Sequence, residues 1–181
     1  MLIRIEEPTW SEVTTHLFAR DDVETAAILL AEAIETDRGT VLAVRHWAAI
    51  PDDGYQIRRF DQIRIDPIAI NRLVRPARDR GLSVLTIHSH PMALEAWFSN
   101  ADDAGDARLL PSFATQVPGR PHGALVLARS GAVVARLLVD GRLMDATVRV
   151  IGRTLGNATG DFAVVPDARF ARQALALGEA G

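Results

Sequence analysis

Apolar and polar positions along the chain predict a series of short elements. Residues 2–5 form a strand candidate, and Pro8 then marks a helix start, with Trp10, Val13 and Leu17 spaced to share one helical face as far as Phe18. The stretch after Asp21 and Asp22 has two readings: its Ala, Leu and Glu content favours a helix over residues 24–35, whereas the continuous apolar run 25–31 fits a buried strand. Gly39 opens a strand over residues 40–50, and Asp52-Asp53-Gly54 turns it into a second over 55–65, which predicts an antiparallel hairpin between the two. Asp66 and Pro67 supply an N-cap and a first-turn proline, Ile70, Leu73 and Val74 an apolar stripe, and Gly81 a stop; Pro76 between them predicts a kink or an early break. Residues 82–87 read as a central strand, 101–110 as a helix ended by Pro111, 124–128 and 133–139 as a hairpin around Ser130-Gly131, 148–151 as a last strand, and 168–177 as a terminal helix. Helices and strands mix without strict alternation, which predicts an α+β class with a three-layer α/β/α-like arrangement. A single domain over 1–155 and a tail over 156–181 with a short helix are expected.

Composition narrows the function more than the fold. With 181 residues, 48% of them hydrophobic, the chain can bury one substantial core. Its formal net charge of -3, without a dense arginine cluster, gives no electrostatic reason to expect nucleic acid. No apolar run approaches a membrane span and the first residues lack a signal-peptide core, so no membrane association and a cytoplasmic location are expected. The absence of cysteine removes disulfides and thiolate chemistry, leaving oxygen and nitrogen groups. All 20 basic residues are arginine. Base composition explains that most simply, although a lysine-free chain also offers few amines for conjugation.

Chemistry concentrates in residues 84–103, VLTIHSHPMALEAWFSNADD. His88 and His90, two apart at the end of a strand, line one face with Cβ atoms about 6.5 Å apart, and with Zn–N bonds of about 2.0–2.1 Å the two rings can converge on one zinc ion. Asp102, from the next element, adds an oxygen ligand and leaves a fourth position for water, which is the pattern of catalytic rather than structural zinc. Each part also has an ordinary explanation. A His-x-His pair on an apolar strand is often structural, and Ser99-x-x-Asp102 alone is a capping box. His16, His46 and His122 read as surface or fold-satisfied residues, and Trp97-Phe98 as local packing that could also hold an extended substrate tail.

His88-Ser89-His90-Pro91 followed by Ser99-Asn100-Ala101-Asp102, with Glu24-Thr25-Ala26-Ala27-Ile28-Leu29-Leu30 upstream, resembles the JAMM motif of the MPN-domain (JAB-type) metalloproteases. The lead-in INRLVRPARDRGLSVLTIHSHP is also similar to that family's helix, glycine and strand. The resemblance implies the MPN/JAB (cytidine-deaminase-like) fold with a central mixed β-sheet flanked by helices, a zinc cofactor held by His88, His90 and Asp102, and Glu24 on a strand. It further implies hydrolysis of isopeptide or peptide bonds beside ubiquitin-like proteins, with that protein and its conjugates as partners. Glu24 then acts as general acid-base and Ser99 donates to the oxyanion. Likeness to stand-alone bacterial members implies service in a ubiquitin-like conjugation system, including an anti-phage one.

Three departures stand out: eight residues instead of seven between His90 and Ser99, which makes Asp103 a rival to Asp102; Met92-Ala93-Leu94-Glu95 where small residues are common; and Ala26-Ala27 in place of Cys-Gly. Two other classes compete. One is a non-catalytic MPN-type binding scaffold, which typically loses metal ligands. The other is a small-molecule metal amidohydrolase, which needs more histidine downstream than the single His122.

Overall fold

The computed structural model describes residues 1–152 and the backbone of 163–164. β1 (Leu2–Glu6) leads into α1 (Glu7–Leu17), which has proline in its first turn and fully buries Val13 and Leu17. The disputed segment is β2 (Ala26–Thr36), with residues 26–31 buried in succession. Pairing with a neighbour on each side overrides its helix propensity.

β3 (Gly39–Ala49) returns antiparallel to β2 around a turn in which the Thr36 hydroxyl donates to the Gly39 carbonyl and Gly39 takes φ 105. The hairpin expected between residues 40–50 and 55–65 is therefore not formed. β3 matches the length of β2 and also pairs in parallel with β1, while the second segment folds on itself as β4 (Tyr55–Arg58) and β5 (Ile63–Ile65). The polar Arg58-Arg59 and Asp61-Gln62 interrupt it with a turn, closed by the Arg59 amide donating to the Gln62 carbonyl at 2.9 Å.

α2 (Pro67–Arg80) starts and stops at the predicted caps, with the Asp66 side chain accepting from the Ile68 amide and Gly81 in the left-handed region. It is not broken at Pro76, which is exposed, so water can serve the carbonyl left without an intrahelical donor. α3 (Asn100–Gln116) likewise runs on through the exposed Pro111 instead of ending there. β6 (Ser83–His90) lies antiparallel to β2 and parallel to β7 (His122–Ala128), and β8 (Val133–Val139) and β9 (Arg142–Ile151) follow antiparallel. β10 (Ala163–Val164) pairs with β9, and β9 also runs parallel to β1, which therefore has a partner on both edges.

This mixed sheet with three helices among the described residues is α+β. One core cluster joins the sheet to Val13 and Leu17 of α1, and a second joins it to Ile70, Val74 and Ala77 of α2 and Leu110 and Phe113 of α3. No helix among the described residues is long and apolar enough to cross a membrane. The terminal helix expected over 168–177 and the tail over 156–181 lie outside the described residues, apart from the two residues of β10.

Candidate metal centre

β6 delivers the histidines because all eight of its residues are buried between two neighbouring strands, which fixes which way each side chain faces. His88 and His90 share one side, with their Nε2 atoms 3.2 Å apart. Ser89, between them, ties the strand to the start of β2: the Thr25 amide donates to Ser89 Oγ at 3.0 Å, and the Ser89 amide donates to the Thr25 carbonyl at 2.9 Å. That clasp places Glu24, one residue upstream. Its amide donates to the Arg59 carbonyl at 2.7 Å, its carbonyl accepts from Arg58 Nε at 3.1 Å, and its Oε1 lies 3.6 Å from His90 Nε2. Glu24 thus sits just ahead of β2, a strand neighbour rather than part of a helix.

Asp102 arrives from the first turn of α3. Ser99 is the N-cap of a full capping box: its amide and hydroxyl both donate to Asp102 Oδ2, at 2.7 and 2.8 Å, and its Oγ accepts from the Asp102 amide at 3.2 Å. This leaves Asp102 Oδ1 3.1 Å from His88 Nε2, with Oδ2 3.6 Å from His90 Nε2. The capping box and the approach to the histidines are therefore one arrangement. Asp103 turns elsewhere and accepts from Arg136 Nη1 at 2.5 Å.

Water is largely kept from the group: Glu24 is 4% exposed, His88 8% and His90 7%. Burial pushes the Glu24 carboxyl up to about 7, with His88 opposing and the nearby Asp102 and Asp61 adding to the rise. Burial acts on Asp102 in the same sense, but hydrogen bonds from His88 and His90, the charge of His88 and the Ser99 amide together outweigh it and hold that carboxyl well below the usual range. For His88, burial disfavours the charge, yet the hydrogen bond and charge of Asp102, with Glu24, raise its pKa overall.

The donor set fits a divalent metal. Ligand atoms on a tetrahedral ion with bonds of about 2.0–2.1 Å lie about 3.3 Å apart, and the contacts here run from 3.1 to 3.6 Å. Two facing imidazole nitrogens need a proton or a cation between them, and Glu24, His88 and His90 form a buried group able to hold an ion.

The other histidines do not join that group. His122 is buried with both ring nitrogens bonded to backbone, His46 is exposed beside Arg80, and His16 bonds the Ala26 carbonyl. The Trp97 ring lies edge-on to His90 at 5.1 Å. Sequence reasoning missed Arg136, which is 8% exposed and bonds both Asp103 and Asp106. The available signal was a charged residue inside the apolar run of β8.

Comparison with known proteins identifies the family and the fold. The family model of prokaryotic homologs of the JAB domain matches residues 6–137. The chain belongs to that family. Among solved structures it is similar to the solution structure of protein DSY2949 from Desulfitobacterium hafniense, at 14% identity and a TM-score of 0.54, over 84% of this chain and 95% of that one. At that identity the likeness concerns the fold alone. No curated protein matches the chain.

Proposed function

We propose that this protein is a zinc-dependent JAMM-type isopeptidase or peptidase. It cleaves the bond after the C-terminus of a ubiquitin-like protein and so releases that protein from a lysine or from a short C-terminal extension. It works in the cytoplasm, within a ubiquitin-like conjugation system such as an anti-phage one. The observation that carries the reading is the convergence of His88, His90, Asp102 and Glu24, with His88 Nε2 3.2 Å from His90 Nε2 and 3.1 Å from Asp102 Oδ1.

His88, His90 and Asp102 would hold the ion, with Glu24 beside it. Bound there, zinc would supply Lewis acidity for the substrate carbonyl and for an attacking water at neutral pH. The two carboxylates divide the work because their surroundings push them apart: Asp102 is held ionised as a ligand, while Glu24, up at about 7, can accept and return a proton. Glu24 takes the proton of the attacking water and passes it to the leaving nitrogen as the C–N bond breaks, which yields a carboxylate and an amine. Ser99 holds Asp102 by two donated hydrogen bonds. Its hydroxyl donates to the oxyanion once it turns from Asp102 toward the substrate. Trp97, half exposed beside His90, flanks the path of an extended substrate tail.

The test is cleavage of a ubiquitin-like fusion, with bound zinc measured alongside. Glu24→Gln should retain zinc and lose about 10²–10⁴-fold in cleavage, and Asp102→Asn should lose zinc. A Glu24→Gln variant that cleaves at the wild-type rate removes Glu24 from the mechanism.

A further inference from the structure

Buried in β8, Arg136 is an expensive residue to place in an apolar strand, and its surroundings show what compensates it. Nε donates to Asp106 Oδ2 at 2.9 Å, Nη1 donates to Asp103 Oδ1 at 2.5 Å, and the guanidinium carbon lies 3.8 Å from the centre of the Phe98 ring. Asp103 and Asp106 are three apart on α3, so they share a face, and Phe98 ends the loop that leads from His90 into the helix. One guanidinium therefore grips the loop and the first two turns of the helix that carries Asp102.

Local sequence does not choose between Asp102 and Asp103. If the chain slips by one residue along α3, Asn100 becomes the N-cap and Asp103 its N3 acid, a pairing nearly as good as Ser99 with Asp102. The same slip brings Ser99 to the place of Phe98, Ala104 to that of Asp103 and Ala107 to that of Asp106. Arg136 then loses both carboxylates and the aromatic face together, and a buried guanidinium is left unpaired.

We propose that Arg136 is a positioning residue that sets the register of α3: by binding Phe98, Asp103 and Asp106 it presents Asp102, and not Asp103, to His88 and His90. This rests on the reading of Asp102 as a metal ligand. Arg136 touches neither ion nor substrate and acts through the helix. Its role also accounts for the tolerance of an eight-residue loop before Ser99, since the loop's last residue is held in place by the guanidinium.

The test is zinc affinity of the full chain, measured by competition with a chromophoric chelator, in a double-mutant cycle. Arg136→Met should weaken zinc binding by about 10–100-fold, the range for residues that orient a ligand. In that background Asp103 is free to replace Asp102, so Asp102→Asn should cost much less affinity than it does with Arg136 present, and Asp103→Asn should cost more. Packing loss alone would not exchange the sensitivity of the two aspartates. Arg136→Lys, which keeps the charge but cannot span both carboxylates, should fall between wild type and Arg136→Met, and it carries the test if the methionine variant does not fold. Arg136 variants that bind zinc within about twofold of wild type, or an equal Asp102→Asn penalty in every background, overturn the proposal. A wild type that binds no zinc, or one indifferent to Asp102→Asn, overturns the metal reading beneath it.

Discussion

Two buried histidine settings stand on neighbouring parallel strands. His122, at the start of β7, is fully buried, with Nδ1 accepting from the Val84 amide at 3.0 Å and Nε2 paired with the Val117 carbonyl at 2.9 Å. His88 and His90, at the end of β6, are almost as buried, but their Nε2 atoms face each other and two carboxylates. Burial does not separate the two settings; the partners do. Backbone groups on both nitrogens complete His122 within the fold, whereas the β6 pair leaves its two Nε2 atoms to share a proton or an ion beside two carboxylates. The titration follows suit. Burial pushes His122 below the ordinary histidine value despite its two backbone hydrogen bonds, while Asp102 and Glu24 raise His88 against the same pressure.

The largest effect expected from this contrast is on stability. In metal-free protein His122→Ala leaves the Val84 amide and the Val117 carbonyl without partners and opens a cavity, a loss of about 2–5 kcal/mol by urea denaturation. His90→Ala should cost less, because no backbone group depends on that ring in the same way. Equal losses would mean that the β6 pair is as structural as His122.

Zinc should separate the variants next. At a free concentration of about 100 times Kd it stabilises the folded chain by about 2.7 kcal/mol. Wild type and His122→Ala should both show that gain, and His90→Ala should not. A gain in His90→Ala would place the ion elsewhere.

The smallest effect is in pH dependence under chelation, where the two settings carry opposite signs. His122, with its folded pKa lowered, contributes stability above the unfolded value of about 6.5 and loses it as pH falls. His88, with its folded pKa raised, contributes below that value and loses it as pH rises. From pH 8 down to pH 5, the deficit of His122→Ala relative to wild type should therefore shrink and that of His88→Ala should grow. Parallel trends would show that the partners do not set the protonation of either ring.

Much of the site was legible because it follows from local rules. The His88-x-His90 spacing on a strand requires a shared face, and Ser99 with Asp102 requires a helix start, whatever the rest of the fold. What escaped depends on distant partners. For residues 24–35 local propensity and the apolar run 25–31 pointed to different elements; the strand reading holds because β3 and β6 pair with the segment, and those partners lie outside the local pattern. The hairpin expected between residues 40–50 and 55–65 failed for the same reason, since β3 was taken by β2. The prolines at 76 and 111 were overread because their cost depends on exposure, and both face solvent. Arg136 stood out only as a charge inside an apolar run, because its role lies in Asp103 and Asp106, some thirty residues upstream.

An ion held at the end of β6 by His88 and His90 is what links this fold to the proposed hydrolysis. Elemental analysis of zinc-loaded, desalted protein tests it most directly. Wild type and Glu24→Gln should each carry about one zinc per chain and His88→Ala almost none, as a site with three protein ligands requires. A wild type without zinc, or a His88→Ala variant that keeps it, would rule out a metal centre at the end of β6.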